Sequence, residues 1–404
     1  MKNHPLYIFP DFRRLFIGRV ISAIGDKFFQ IALIWWALNE SPSGKMNVGL
    51  IMAATFLPIV LFGPLMGTMA DRFDRKKTML TADLARAFFV SVLFFLFYLK
   101  ALNFPLALIC VFLISSFAPL FESSAAGSLE RLTSSETLSQ ATAVDSSSVQ
   151  ISSVMGAAAG AIMLGAIGAK GAFLLNCITY LVSFFFVLSI KSDLRPAEAA
   201  AYSYFSGLRE GFYYLKGERE ILLLVLFFSL LNFFASPIFI LIPMIIKYTL
   251  SLDVKWLAVF ETFFALGLTA VSILLGFRRA KGDPIKLLSL SIFLAGLFFF
   301  PLGLVKNKYL SLISLTGLGA AMSLGNVVIL SYFQNRVPDE FKGRFFSLIT
   351  TVSFAVMPLS FMINGLLAEK LTVEKVIFFN SSAVVFLSIA PLLIRKFTQV
   401  KSAE

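Results

Sequence analysis

The chain has 404 residues, 58% hydrophobic and only 14% charged, with a mean hydropathy of +0.85 and a formal net charge of +12. Soluble domains carry about 25% charged residues, so a soluble globular fold is excluded, and the basic excess points to membrane topology rather than nucleic acid. The single histidine, His4, and two cysteines inside apolar runs, Cys110 and Cys177, leave no disulfide framework, no metal site and no His-dependent catalysis.

Twelve apolar stretches of about 20 residues each match the thickness of bilayer hydrocarbon as helices. They are predicted at 13–39, 46–69, 77–100, 104–122, 137–165, 169–191, 220–247, 254–278, 285–305, 309–332, 345–368 and 373–395. The first carries Arg19, Asp26 and Lys27 and is too long for a signal h-region, which predicts a retained helix. Within it Arg19, Ser22, Asp26 and Gln30 recur at three- and four-residue spacing and share one stripe. Asp26 falls roughly 19 Å along the helix from Arg13, near the middle of a core ~30 Å thick. A charge at that depth costs about 2.5–3.5 kcal/mol, so the stripe is expected to face a watery cavity. Asp26 is the leading candidate for proton coupling or substrate contact; a permanent ion pair with Arg19 or Lys27 is the structural alternative.

Trp35 and Trp36 fit an interfacial belt at the outer end of this span. In the third span Asp83 and Arg86, three residues apart, predict a local ion pair. Glu122 is expected at the cytoplasmic edge of the fourth span. Asp145, followed by Ser146, Ser147 and Ser148 in the fifth, and Glu261, about 10 Å from the outer end of the eighth, are further candidate cavity carboxylates. A cavity with apolar walls and few polar groups suits amphipathic or cationic ligands.

The longest connection, 192–219, is polar at first and then places Tyr204, Leu208, Phe212 and Leu215 on one helical face, as a helix lying on the inner leaflet would. It divides the chain into six-span halves, 1–191 and 220–404. A weak repeat supports the division: Arg131 and Arg336 stand in matching places after the fourth span of each half, and Gly67 and Gly276 end the second. Lys and Arg crowd the connections on the side of the termini (Arg72, Arg75, Lys76, Lys77, Arg131, Arg195, Arg278, Arg279, Arg336, Lys342, Arg344), which predicts cytoplasmic amino and carboxyl ends in the cell (inner) membrane.

After the second span the chain reads GTMADRFDRKK. This resembles the loop motif of the major facilitator superfamily: Gly67, Asp71, Arg72, Arg75 and Lys76 match, and Asp74 stands where the family often has a second glycine. The first span, RLFIGRVISAIGDKFFQIALIWWAL, and VPDEFKGRFFSL after the tenth look like the drug-efflux branch that includes macrolide and enterobactin exporters. The fifth span has Gly156 and Gly160 but Ala157 where antiporters of this branch often carry proline, and the fourth lacks the arginine of many drug antiporters. The resemblance implies an all-α fold of two pseudo-symmetric six-helix bundles around a central cavity lined by the first span. It also implies a gating loop in which Gly67 admits a close helix approach and Asp71 meets the start of the eleventh span near Arg344.

The function expected is therefore secondary active export of a small amphipathic molecule or drug by alternating access, driven by protons, from a monomer that needs no cofactor. Two alternatives differ in class: a lysophospholipid or other lipid flippase on the same fold, and a membrane-embedded enzyme. The enzyme reading lacks a nucleophile, base or metal cluster, and no nucleotide-binding P-loop is present.

Overall fold

The structure, a computed structural model, describes residues 4–40, 43–196, 217–277 and 282–401. Their regular structure is entirely helical. After a short turn, Pro5–Ile8, the helices are α1 (Pro10–Glu40), α2 (Gly44–Arg72), α3 (Arg75–Tyr98) and α4, formed by Phe104–Ser116 and Ala118–Leu132. The helical stretch Leu138–Leu188 is 51 residues long, or roughly 77 Å at 1.5 Å per residue, more than twice the hydrocarbon thickness. It is two helices, α5 (138–167) and α6 (169–188), meeting at Gly168, whose φ of 65° is open to a residue without Cβ.

The second half comprises α7 (Arg219–Ala235, continued by Ile238–Met244 and the π turn Ile245–Thr249), α8 (Lys255–Phe277) and α9 (Pro284–Phe299). It ends with α10 (Lys308–Arg336), α11 (Asp339–Ala355 and Met357–Lys370) and α12 (Val373–Leu387 and Ala390–Lys401). Among the described residues eleven segments are long and apolar enough to cross a bilayer. The twelfth, α5, is rich in Ser, Ala and Gly, a composition suited to packing against another helix rather than lipid. The amphipathic segment expected within 192–219 falls at 197–216, outside the described residues.

The ends of two helices correct the sequence reading. The fourth span runs to Leu132 rather than 122, so Glu122 lies inside a helix and not at its edge. The second runs to Arg72, so Asp71 and Arg72 belong to its last turn and only Phe73 and Asp74 form the connection.

The chain divides into two compact units: Met1–Ser41 with Ala54–Tyr204, and Pro42–Ala53 with Phe205–Glu404. In the first, α1 packs along α5 and α6. One end is closed by a buried apolar cluster in which Phe12 and Leu15 meet Met79, Leu120, Phe121 and Val187. Phe88 and Phe185, 60% and 63% exposed, face outward, as lipid contact allows.

In the second unit the helices are joined by neutral hydrogen bonds. The Asn380 amide donates to Asn364 Oδ1 at 2.6 Å, Ser360 Oγ to the Phe233 carbonyl at 2.5 Å, and Ser229 Oγ to the Val352 carbonyl at 3.1 Å. Such bonds hold helices together where lipid removes the hydrophobic drive for association. The first ten residues of α2 belong to this unit. There Glu369 accepts the backbone N–H groups of Lys45 and Met46 at 3.1 and 3.2 Å, satisfying two donors that a helix start leaves open. One turn on, a Cβ at Gly49 would lie 2.5 Å from the Phe361 carbonyl oxygen and 2.9 Å from Gly365 Cα, so backbone meets backbone.

Candidate functional site

Three helices of the first unit bring polar side chains to their midpoints. Asp26 is 16 residues into the 31 of α1, Arg86 is 11 into the 24 of α3, and Tyr180 lies at the same depth of α6. Arg86 pairs with Asp83 at 2.5 Å, the i,i+3 contact that the sequence predicts, and stands 4.0 Å from the Asp26 carboxylate. The Tyr180 hydroxyl donates to Asp26 Oδ1, and Ser183 Oγ donates to Asp83 Oδ2 at 2.7 Å. The guanidinium is also sandwiched between rings, 4.5 Å from the centroid of Tyr180 and 4.8 Å from that of Phe121, where the ring faces favour a cation.

Exposure separates the two carboxylates. The Asp83 side chain is fully buried and that of Arg86 is 5% exposed, whereas Asp26 is 44% exposed at mid-helix. Asp83 thus fixes Arg86 in place, and Asp26 is the member of the set open to exchange with its surroundings.

Arg19, two turns from Asp26 on the same stripe, turns elsewhere. It pairs with Glu122 of α4 and with Asp145 of α5, and its side chain is 8% exposed. Both clusters have the same composition, one arginine against two carboxylates. With all groups ionised each carries a net charge of −1; a single bound proton makes it neutral.

The remaining members of the stripe and the loop motif are distributed as follows. Lys27 Nζ donates to Gln30 Oε1 at 3.1 Å, so this pair lies beside the Asp26 set rather than in it. Glu261 belongs to the second unit, half-buried near the start of α8. Arg75 Nη1 donates to the Gly127 carbonyl of α4 at 2.6 Å and approaches Asp71 at 4.0 Å; Lys76 Nζ donates to the Ile190 carbonyl at 2.6 Å. These cations therefore satisfy backbone carbonyls on other segments of the first unit. Arg72 lines an open, basic recess of that unit with Lys77 and Arg195.

Asp74, where the family often has glycine, is the N-cap of α3 and accepts the N–H groups of Lys76 and Lys77 at 3.0 and 3.4 Å. Among the described residues a Cβ at Gly67 would meet Ser123 Oγ at 3.8 Å, an ordinary contact. The side chain of Arg344, the expected neighbour of Asp71, lies outside the described residues.

Sequence reasoning found Asp26, Arg19 and Asp145, and separately Asp83 and Arg86, but not that Arg86 reaches Asp26 or that Glu122 binds Arg19. It missed Tyr180 and Ser183 altogether. The available signal was their four- and three-residue spacing with Asn176 and Thr179, a polar stripe in α6 to match that of α1.

Charge clusters midway along apolar helices long enough to span a bilayer are the usual mark of a polytopic transporter. The chain matches the Transmembrane secretion effector family over residues 5–404 and belongs to it; it is a secondary transporter of small molecules in the major facilitator superfamily and not an enzyme. It is 27% identical over 348 residues to the MFS-type transporter YkuC of Bacillus subtilis, covering 83% of this chain and 80% of that one. It is 25% identical over 389 residues to macrolide efflux protein A of Streptococcus pyogenes, covering 94% of each. The nucleoside transporter NupG shares the fold at a TM-score of 0.76 and 13% identity, over 96% of this chain and 99% of NupG.

Proposed function

We propose that this protein exports a small amphipathic molecule from the cell by alternating access of its two halves, in exchange for protons, and that Asp26 carries the proton. The observation that carries the reading is the Asp26–Arg86–Asp83 set: a half-exposed carboxylate at mid-membrane, backed by an arginine that a second, buried carboxylate already occupies. Protonated, the set is neutral and passes through a low-dielectric intermediate at little cost. Deprotonated, it carries one uncompensated charge, which resists closure unless the cavity holds a substrate or a proton. The Arg19–Glu122–Asp145 set, about 10 Å along α1, gives the proton a second station. Similarity to macrolide efflux protein A supports the outward direction and an amphipathic cargo.

In this reading the termini and the Asp71–Lys76 segment are cytoplasmic, as the Lys and Arg bias requires. Arg75 braces α3 against α4 and Lys76 ties α3 to the segment just past α6, while Asp71 gates that end. Residues 192–219 link the bundles 1–191 and 220–404, and the protein works as a monomer.

The test is purified protein in proteoliposomes with an imposed pH gradient and a panel of amphipathic dyes. Wild-type protein should accumulate dye against its gradient; Asp26→Asn should lose accumulation and keep downhill movement. Full accumulation by Asp26→Asn removes Asp26 from the mechanism. Movement of labelled lysophospholipid with no dye transport replaces the cargo with lipid.

A further inference from the structure

The cations that gather where α2 ends and α3 begins divide by what they touch. Arg75 and Lys76 are held by carbonyls of other segments, at 2.6 Å each. Arg72 and Lys77 are exposed, and neither charged group has a hydrogen-bond or ion-pair partner among the described residues. Both line an open recess of about 690 Å³ together with Arg195, whose side chain is 71% exposed. The carboxylate in that lining, Asp74, is already committed: it caps α3 through the Lys76 and Lys77 N–H groups and stands 4.0 Å from Arg195. The lining thus holds three cations against one carboxylate, an excess of two positive charges.

Topology asks for cations at a helix end, but it asks neither for a hollow nor for the apolar surface that continues this one. Phe73 and Met69 of the lining are 57% and 39% exposed. From Met69 the exposed Leu65 and Leu61 follow at four-residue steps back along one face of α2. Past Thr81 of the lining, the exposed Leu84 and Phe88 continue along α3 in the same way. A cationic hollow at the end of two spanning helices lies at headgroup depth, and the apolar stripes lead from it into the hydrocarbon.

We propose that this recess holds an anionic phospholipid, its phosphate among Arg72, Lys77 and Arg195 and its acyl chains along the apolar stripes of α2 and α3. The lipid supplies the counter-charge that the protein leaves out. The proposal stands apart from the export reading, since it needs neither proton coupling nor a particular cargo.

Native mass spectrometry of the purified full-length protein in neutral detergent, titrated with phosphatidylglycerol or phosphatidylcholine, tests it. Phosphatidylglycerol should bind at about tenfold lower concentration. Arg72→Gln with Lys77→Gln should raise its half-saturation about tenfold to thirtyfold and leave phosphatidylcholine unchanged. Arg195→Gln alone, a milder change if the pair fails to fold, should raise it about threefold to fivefold. Arg131→Gln with Lys191→Gln, which removes as much charge from exposed positions outside the recess, should bind as wild type does. Equal binding of the two lipids, wild-type binding by folded Arg72→Gln/Lys77→Gln, or an equal loss in the Arg131→Gln/Lys191→Gln pair overturns the assignment. Displacement of the lipid by an equal concentration of glycerol 3-phosphate also overturns it, making the recess a site for free phosphate esters.

Discussion

The two units, alike in number of spans, differ in what they bury. The first buries Arg19, Asp83, Arg86 and Asp145; among the described residues of the second, every buried polar side chain is Ser, Thr or Asn. The matching places of Arg131 and Arg336, each in the last turn of the fourth span of its half, mark a shared plan. The interior has nonetheless diverged. One half holds charge in sets of one arginine and two carboxylates, and the other is held by neutral hydrogen bonds around an apolar cavity. A charge inside a membrane protein is stable only with its partner in place, whereas a serine or asparagine finds a backbone carbonyl within its own helix. The first unit should therefore be brittle to single polar substitutions and the second tolerant of them.

The sharpest break in this comparison is Arg86→Met. It leaves Asp83 and Asp26 without their guanidinium, and loss of one partner of a buried pair costs about 3–5 kcal/mol. Thermal unfolding in detergent should show it, and the double variant Arg86→Met with Asp83→Asn should recover much of the loss. A melting temperature unchanged by Arg86→Met would mean that the cluster is not a structural unit. Next in size is Gly49→Val: its side chain meets the Phe361 carbonyl and Gly365 backbone, and overpacking of this kind costs about 1–3 kcal/mol. This is one point of tight backbone packing in the second unit, and Gly67→Ala, whose Cβ meets Ser123 Oγ at an ordinary 3.8 Å among the described residues, is the control that should be near neutral.

Tyr180→Phe removes one hydrogen bond to Asp26, worth about 0.5–1.5 kcal/mol. It should slow gradient-driven transport more than it lowers the melting temperature; the opposite order would make Tyr180 a packing residue only. The smallest effect is expected at the end of the second unit, outside the spans. There Arg395 holds the Asp283 carboxyl below its ordinary value through their hydrogen bond, with the Ile285 amide assisting. A depressed pKa stabilises the folded state above the unfolded value, and that contribution fades as pH falls below 3.8. Asp283→Asn should loosen the segment Ala390–Lys401 slightly at neutral pH, seen as faster amide exchange, and the difference from wild type should vanish in acid.

Span number and place were legible in the chain, because a bilayer imposes one length on every apolar helix and leaves no alternative for the backbone. So was the place of Asp26 midway along its helix, since rise per residue converts sequence distance into length. The loop motif was legible as residues but not as contacts: Arg75 and Lys76 reach carbonyls 52 and 114 residues away, and Asp74 proves to be a helix cap. Periodicity on one helix tells which residues share a face and nothing about which helix that face will meet. Arg19 and Asp26 share a stripe yet choose different partners, Glu122 and Asp145 for one, Arg86 and Tyr180 for the other. Those choices were made by packing, which sets carboxylate and guanidinium beside each other across three helices. The neutral cavity of the second unit was likewise invisible in sequence, because a void belongs to no residue and exists only once helices surround it.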